Sequence, residues 1–199
     1  MSKLLAIDGS TSKVGYSVWD KEKKQLLKTF GWKFKQGSLL EKLDFFKSQL
    51  DEILKEHPDV DEMVIEAPKV SMMNMFSGAQ QVTSAKTLKV LSQVNMGYQY
   101  ICHAAGLKVD ELDEKLCKRF SYPGYKQRRG TPVKEQYQEQ VIADTSIPKE
   151  MYYYVKTDKF GNEKLYDWAE DVMDSIIVGK AVCNIYGEGL TLEQIKDDK

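Results

Sequence analysis

Leu4-Leu5-Ala6-Ile7-Asp8-Gly9-Ser10-Thr11-Ser12 is a short apolar run stopped by an aspartate and a turn of small residues. Val14-Gly15-Tyr16-Ser17-Val18-Trp19 follows at once, and residues 26–34 alternate after the charged turn 20–24. An apolar run bounded by turn residues reads as a buried strand, and alternation reads as a half-buried one. Three strands joined by such short turns predict an antiparallel meander.

Beyond the meander the period changes. Ser38 with Glu41 three residues on has capping-box spacing, and Leu39, Leu43, Phe46, Leu50 and Ile53 recur at three and four residues. His57-Pro58 ends that helix. Residues 62–66 predict a fourth strand, reached by a crossover. A long helix is expected over 80–105, stopped by Gly106, then a fifth strand over 107–112. Asp113 is placed to cap a short helix over 114–120, and another is expected over 132–143. Residues 152–155 and 164–166, around Gly161-Asn162, predict a small hairpin. A final helix runs from Asp167 to about 185 and ends at Gly187. The order predicts an α/β fold, a mixed five-stranded sheet flanked by helices. It forms one domain over 1–187, with a frayed tail over 188–199.

Composition narrows the function classes. The 199 residues are 42% hydrophobic and 11% aromatic, enough for a sizeable core. Basic and acidic residues number 29 and 30, which excludes a chain-wide polycation but not a local basic patch. No apolar run is long enough to span a membrane, and no secretory leader is recognisable, so a cytoplasmic location is expected. Cys102, Cys117 and Cys183 form no Cys-x-x-Cys pair, and His57 and His103 are far apart. Neither a disulfide framework nor a cysteine or histidine zinc site is expected.

Three places carry carboxylates worth weighing. Asp8 closes a buried-looking strand; it is either a metal ligand at a cleft or a turn aspartate bonding its own backbone. Glu66 follows Met63-Val64-Ile65; it is either an interior carboxylate that needs a cation or strong donors, or a strand-end residue in solvent. Asp167, Glu170, Asp171 and Asp174 share a helical face. Asp167 and Glu170 fit an N-cap and first turn, whereas Asp174, beside the apolar Ile176-Ile177-Val178, does not. Together these sites offer hard oxygen ligands suited to magnesium, two ions of which can drive phosphodiester hydrolysis.

Charge is uneven. Lys115, Lys118, Arg119, Lys126, Arg128, Arg129 and Lys134 give the window 115–134 a charge of +7 with no acidic residue, so the rest of the chain, net −1 overall, carries −8. Phe120, Tyr122 and Tyr125 are interleaved. Cations that neutralise phosphates and rings that stack on bases point to nucleic acid, against the plainer reading of a solvated loop. Met72-Met73-Asn74-Met75-Phe76 is either core packing or a flexible wedge.

Leu4–Asp8 with Gly15-Tyr16-Ser17-Val18, Val64-Ile65-Glu66, and Asp171-Val172-Met173-Asp174-Ser175-Ile176 together resemble the RuvC-type Holliday junction resolvases of the ribonuclease H-like superfamily, most closely those of bacteriophages. The resemblance implies a homodimeric, magnesium-dependent endonuclease that resolves four-way DNA junctions by paired incisions, with manganese able to substitute. Its cell would be bacterial or phage-infected. It implies that Asp8, Glu66, Asp171 and Asp174 are the catalytic metal ligands and that Lys134 matches the family's late basic residue. The helix after Glu66 would form the dimer, and Phe76 could serve at the junction centre. Lys118, Arg119, Lys126, Arg128, Arg129 and Lys134 are then expected on DNA. Ala67-Pro68 stands where the family usually has Gln after the strand-end Glu, and residues 148–166 are longer than its usual connection. The alternatives are a broader debranching nuclease acting on flaps and forks, and an inactive ribonuclease H-like DNA-binding adaptor. Asp8-Gly9-Ser10-Thr11-Ser12 also resembles the first phosphate loop of sugar kinases and actin-like ATPases, but the second loop is missing.

Overall fold

The structure, a computed structural model, describes residues 2–67 and 85–197. The expected meander is present: β1 (Lys3–Gly9), β2 (Lys13–Asp20) and β3 (Gln25–Lys33) pair antiparallel in sequence. Helix α1 (Leu39–Glu56) crosses over to β4 (Val60–Glu66), which lies parallel to β1, and α2 (Ala85–Ala104) crosses to β5 (Lys108–Leu112), parallel to β4. The sheet order is β3-β2-β1-β4-β5. Then come α3 (Glu114–Ser121), α4 (Val133–Ala143), a single 3-10 turn (Lys149–Met151), the ribbon β6 (Val155–Thr157) and β7 (Glu163–Leu165), α5 (Ala169–Gly187) and α6 (Leu192–Asp197).

Local signals act as their chemistry requires. Ser38 and Glu41 close the capping box of α1, and His57 is its C-cap. The Asp113 side chain accepts from the Lys115 amide at 2.8 Å and caps α3. The start expected for α2 at residue 80 lies outside the described residues, as do the 72–76 stretch and Phe76.

Alternation along β1 divides the interior into two layers. Leu5 and Ile7 pack with Phe46, Leu50 and Tyr98 of α1 and α2, whereas Leu4 and Ala6 pack with Ile176 and Val178 of α5. Burying both faces of the sheet explains why Leu4–Ile7 of β1 is an unbroken apolar run. Fourteen residues of α5 are buried, so it forms the spine of the second layer.

Two expectations are corrected. Residues 192–197 of the tail are not frayed: Leu192 and Ile195 of α6 are buried in the α5-side core, with 1% and 6% of their surface exposed. Burying two aliphatic side chains holds a six-residue helix that would be marginal alone. Asp167 is not an N-cap: α5 starts after Trp168 without a side-chain cap, and Asp167 instead pairs with Lys33 at 2.8 Å. The ribbon forms, but its strands are shifted, to 155–157 and 163–165 from the expected 152–155 and 164–166.

Among the described residues, no helix is long and apolar enough to cross a membrane, and all three cysteines are free and buried.

Candidate active site

Period two aims two carboxylates at one place. Asp8 shares the face of Leu4 and Ala6, Glu66 shares that of Val64, and Ala6 pairs with Val64 across the parallel strands. Asp8 and Glu66 therefore extend one row beyond that pair, on the α5 side, at the C-terminal ends of neighbouring strands. The first turns of α5 meet them there.

A glycine permits that meeting. Gly15 pairs with Asp8 across β1 and β2. A Cβ built on it would stand 2.1 Å from the Asp171 carbonyl carbon and 2.3 Å from the Val172 amide nitrogen. Only a residue without a side chain lets the helix backbone press so closely on the strand. Asp171 and Asp174 are buried at 7% and 9% exposure, whereas Glu170 is exposed. Of the four acidic residues on that helical face, the core thus selects two.

Asp8, Glu66 and Asp174 line one cavity of about 200 Å³ with Lys118, Lys134 and Tyr137. Lys134, on the first turn of α4, lies 2.6 Å from Asp174 and 3.9 Å from Glu170. Lys13 lies 3.0 Å from Asp171, and the Gln138 amide donates to Asp174 at 3.1 Å. Among the described residues, no three carboxylate, histidine or cysteine side chains close into a metal-binding set; ammonium groups sit on Asp171 and Asp174.

The electrostatics are those of crowded negative charge. Burial, then the charges of Asp174, Glu66 and Asp171, hold the Asp8 carboxyl well above the usual carboxylate range, against the pull of Lys134. Burial also raises Asp174, opposed by Lys134 and Gln138, and raises Asp171, opposed by Lys13. Burial would lower the Lys134 ammonium, but Asp174, Asp8 and Asp171 outweigh it and carry it above its ordinary value. Cys117 reaches the same cavity, but burial and nearby carboxylates push its thiol up, so it offers no soft thiolate. Carboxylates that raise one another's pKa, with no soft donor beside them, suit a hard divalent cation.

The fold is that of the RuvC-type resolvases. Thermus thermophilus RuvC in complex with Holliday junction substrate matches with a TM-score of 0.63 at 12% identity, covering 95% of this chain and 97% of that one. A second Thermus thermophilus RuvC structure matches with a TM-score of 0.62 at 13% identity, over 94% and 96%. The yeast mitochondrial Holliday junction resolvase Ydc2 gives 0.57 at 11%, over 94% and 80%. No protein-family model and no curated protein sequence matches the chain. The RuvC-like architecture is thus kept at a sequence identity that leaves function to be argued from the site.

The basic segment divides around that RuvC-like frame. Lys118 faces the cavity, paired with Glu114. Arg119, Lys126, Arg128 and Arg129 are exposed, and Arg128 pairs with Glu139. Their loop is pinned by Gln136, which has no exposed surface. Its Oε1 accepts from the Arg128 amide at 2.7 Å and from the Tyr125 hydroxyl at 3.1 Å, and its Nε2 donates to the Thr131 and Arg128 carbonyls at 2.7 and 3.0 Å.

Sequence reasoning missed Lys13, Gln136, Gln138 and Tyr137. Nothing local marks them: each acquires its role from a residue more than seven positions away or from a cavity wall. A larger cavity, about 600 Å³, lies at the far end of the sheet. Its buried Glu62 is engaged by Lys21 at 3.0 Å, the Tyr186 hydroxyl at 2.6 Å and Lys108 at 3.5 Å, so that charge cluster is internally satisfied.

Proposed function

We propose that this chain is a magnesium-dependent endonuclease that resolves four-way DNA junctions. The observation that carries the proposal is that Asp8, Glu66 and Asp174 line one cavity, with Asp171 near enough for its charge to act on Asp8, Lys134 on Asp174 and a basic segment alongside. Four carboxylates of which two are buried destabilise one another, an arrangement that a packed core alone has no reason to keep.

These four residues are the proposed ligands of two magnesium ions, with manganese as a substitute. Bound there, such ions activate a water and stabilise the leaving oxygen of a phosphodiester. The chain's own residues do the rest. Lys134 stands where it can offset the charge that develops on the scissile phosphate. Gln138 holds the Asp174 carboxylate in orientation, as Lys13 holds that of Asp171. Arg128, Arg129 and Lys126 lie outside the cavity and suit phosphates of the junction arms.

Paired incisions need two related sites, and a two-fold dimer is the simplest source. Helix α2 is suited to that contact, because Met96 and Tyr100 are 69% and 73% exposed on it. A broader debranching nuclease would use the same residues; an inactive adaptor would not need all four carboxylates.

The test is cleavage of a synthetic four-way junction beside a linear duplex, with and without magnesium, with light scattering to read the mass alone and on DNA. We expect magnesium-dependent, junction-selective cuts by a dimer. Cleavage indifferent to magnesium, or equal on both DNAs, would sink the reading.

Two further variants separate anchoring from chemistry. Phosphate contacts give a salt slope of roughly −0.9 per neutralised charge on duplex DNA. Arg128→Ala with Arg129→Ala should weaken binding and flatten the slope by up to about two units per subunit. Lys134→Ala should lower single-turnover cleavage more than affinity. An unchanged slope would make the loop merely solvated, and equal losses for Lys134→Ala would make it only an anchor.

A further inference from the structure

The β6–β7 ribbon has no role in the core. Every residue from 159 to 167 is exposed, and a two-stranded ribbon is marginal on its own in water. It is nevertheless built stiffly. At its turn the Asp158 carboxylate accepts from the Phe160 and Asn162 amides at 2.8 and 3.0 Å, and Gly161 takes φ +85°. At its base Trp168 stacks on Tyr166 with ring centres 5.1 Å apart and packs on Tyr154 at 4.8 Å and Phe30 at 5.1 Å. The Tyr154 hydroxyl donates to the Thr29 carbonyl at 2.6 Å, tying the base to edge strand β3.

Its surface chemistry is unusual for a structural ribbon. Lys156 lies directly opposite Lys164 in the antiparallel register, so both point to one face. Like charges in that position repel. Among the described residues neither ammonium forms an ion pair; Lys156 lies over the Tyr166 ring at 5.4 Å, and both lysines add to Lys33 in lowering the Asp167 carboxyl. Lys159 lies over the Phe160 ring at 4.9 Å, and that ring is 77% exposed at the tip. Of the acidic residues nearby, Asp158 is consumed in the turn and Asp167 pairs with Lys33; Glu163 is exposed.

Placement supplies the rest. Trp168 leads directly into α5, three residues before Asp171. The ribbon is anchored at the β3 edge of the sheet, and the 115–134 segment begins beyond β5, at the opposite edge. The cavity with Asp8 and Glu66 therefore lies between the basic 115–134 segment and a ribbon that presents three lysines beside three acidic residues.

We infer that the β6–β7 ribbon is a second DNA-contacting surface, on which Lys156, Lys159 and Lys164 neutralise backbone phosphates while Phe160 stacks on an unpaired base at the branch. This rests on the branched-DNA reading given above. A polyanion removes the repulsion between Lys156 and Lys164, and an exposed ring beside a cation suits a base freed from its stack.

The experiment is the affinity of a labelled four-way junction and of a linear duplex across a salt series. The proteins are the parent, Lys156→Ala with Lys164→Ala, Phe160→Ala and Phe160→Trp. All these side chains are exposed, so melting temperatures should stay at or above the parent's. The double lysine variant should flatten the slope by up to about two units per subunit. Phe160→Ala should lose about tenfold in junction affinity and little on duplex, and Phe160→Trp should retain it. If the parent and the Arg128/Arg129 variant respond to salt as expected but the lysine pair leaves the slope unchanged, the ribbon proposal alone falls. Equal losses on junction and duplex for Phe160→Ala overturn the stacking role. A parent without salt-dependent binding to branched DNA overturns both the ribbon and the nuclease reading.

Discussion

Asp8→Asn and Asp174→Asn should each abolish magnesium-dependent junction cleavage, by about a thousandfold or more, while keeping or strengthening junction binding. Each change removes a charge and nearly preserves shape. Binding should hold because a carboxylate facing a phosphate repels it. The metal-free Asp8→Asn protein should also be more stable than the parent, because burial, then Asp174, Glu66 and Asp171, oppose ionisation of Asp8 more than Lys134 favours it. A gain of about 1 kcal/mol corresponds to a rise in Tm of about 3 °C in a chain of this size. Adding magnesium should stabilise the parent more than either variant. Single-turnover cleavage, binding and melting with and without magnesium read all of this. Near-parent turnover in either variant would remove that residue from the catalytic set. A lower Tm for Asp8→Asn would mean that its charge supports the fold rather than straining it.

Gly15→Ala should be the most damaging substitution outside the carboxylates. The three atoms nearest the added Cβ are all backbone: the Asp171 carbonyl carbon and oxygen at 2.1 and 2.3 Å and the Val172 nitrogen at 2.3 Å. Backbone at the docked end of a buried helix cannot yield as a side chain can. Overpacking of this kind costs about 3 kcal/mol, a fall in Tm of roughly 10 °C here. Cleavage should fall about a hundredfold in the folded fraction, because Asp171, a proposed metal ligand, moves with its helix, and a displacement of about 1 Å at a catalytic group costs that much. Gly97→Ala is the control. Its Cβ would meet the flexible methyl groups of Leu43 at 2.7 and 2.9 Å, which can turn aside. A Gly15→Ala protein that melts and cuts like the parent would show that α5 does not need this close approach.

The meander, the crossover strands and the caps of α1 and α3 were legible in the chain because each is decided within a few residues. Period two in Leu4–Asp8 and Val64–Glu66 sets which side chains share a face. The Ser38–Glu41 box and the Asp113 cap satisfy backbone amides three or two positions on. Asp8 and Glu66 could be singled out for the same reason, as carboxylates at the end of runs too apolar to face water.

The helical carboxylates were legible only as a set of four. Asp167, Glu170, Asp171 and Asp174 obey the same helical spacing, and nothing local distinguishes an inward pair from an outward one. Docking of α5 on β1 and β2 decides it, leaving Asp171 and Asp174 inside and giving Asp167 to Lys33, 134 positions away. Lys13 on Asp171, Gln138 on Asp174 and Gln136 beneath the basic loop are likewise products of docking. Their partners lie 158, 36 and eight residues off in the chain, beyond any helical or strand period. The tail shows the same limit: the polar sequence after Gly187 reads as frayed until Leu192 and Ile195 find the α5-side core. Hydrophobic period, caps and turns act between neighbours and so are written in the order of residues. Which charges oppose, and which glycine must stay bare, depend on how separately formed elements pack, and packing exists only once the tertiary structure does.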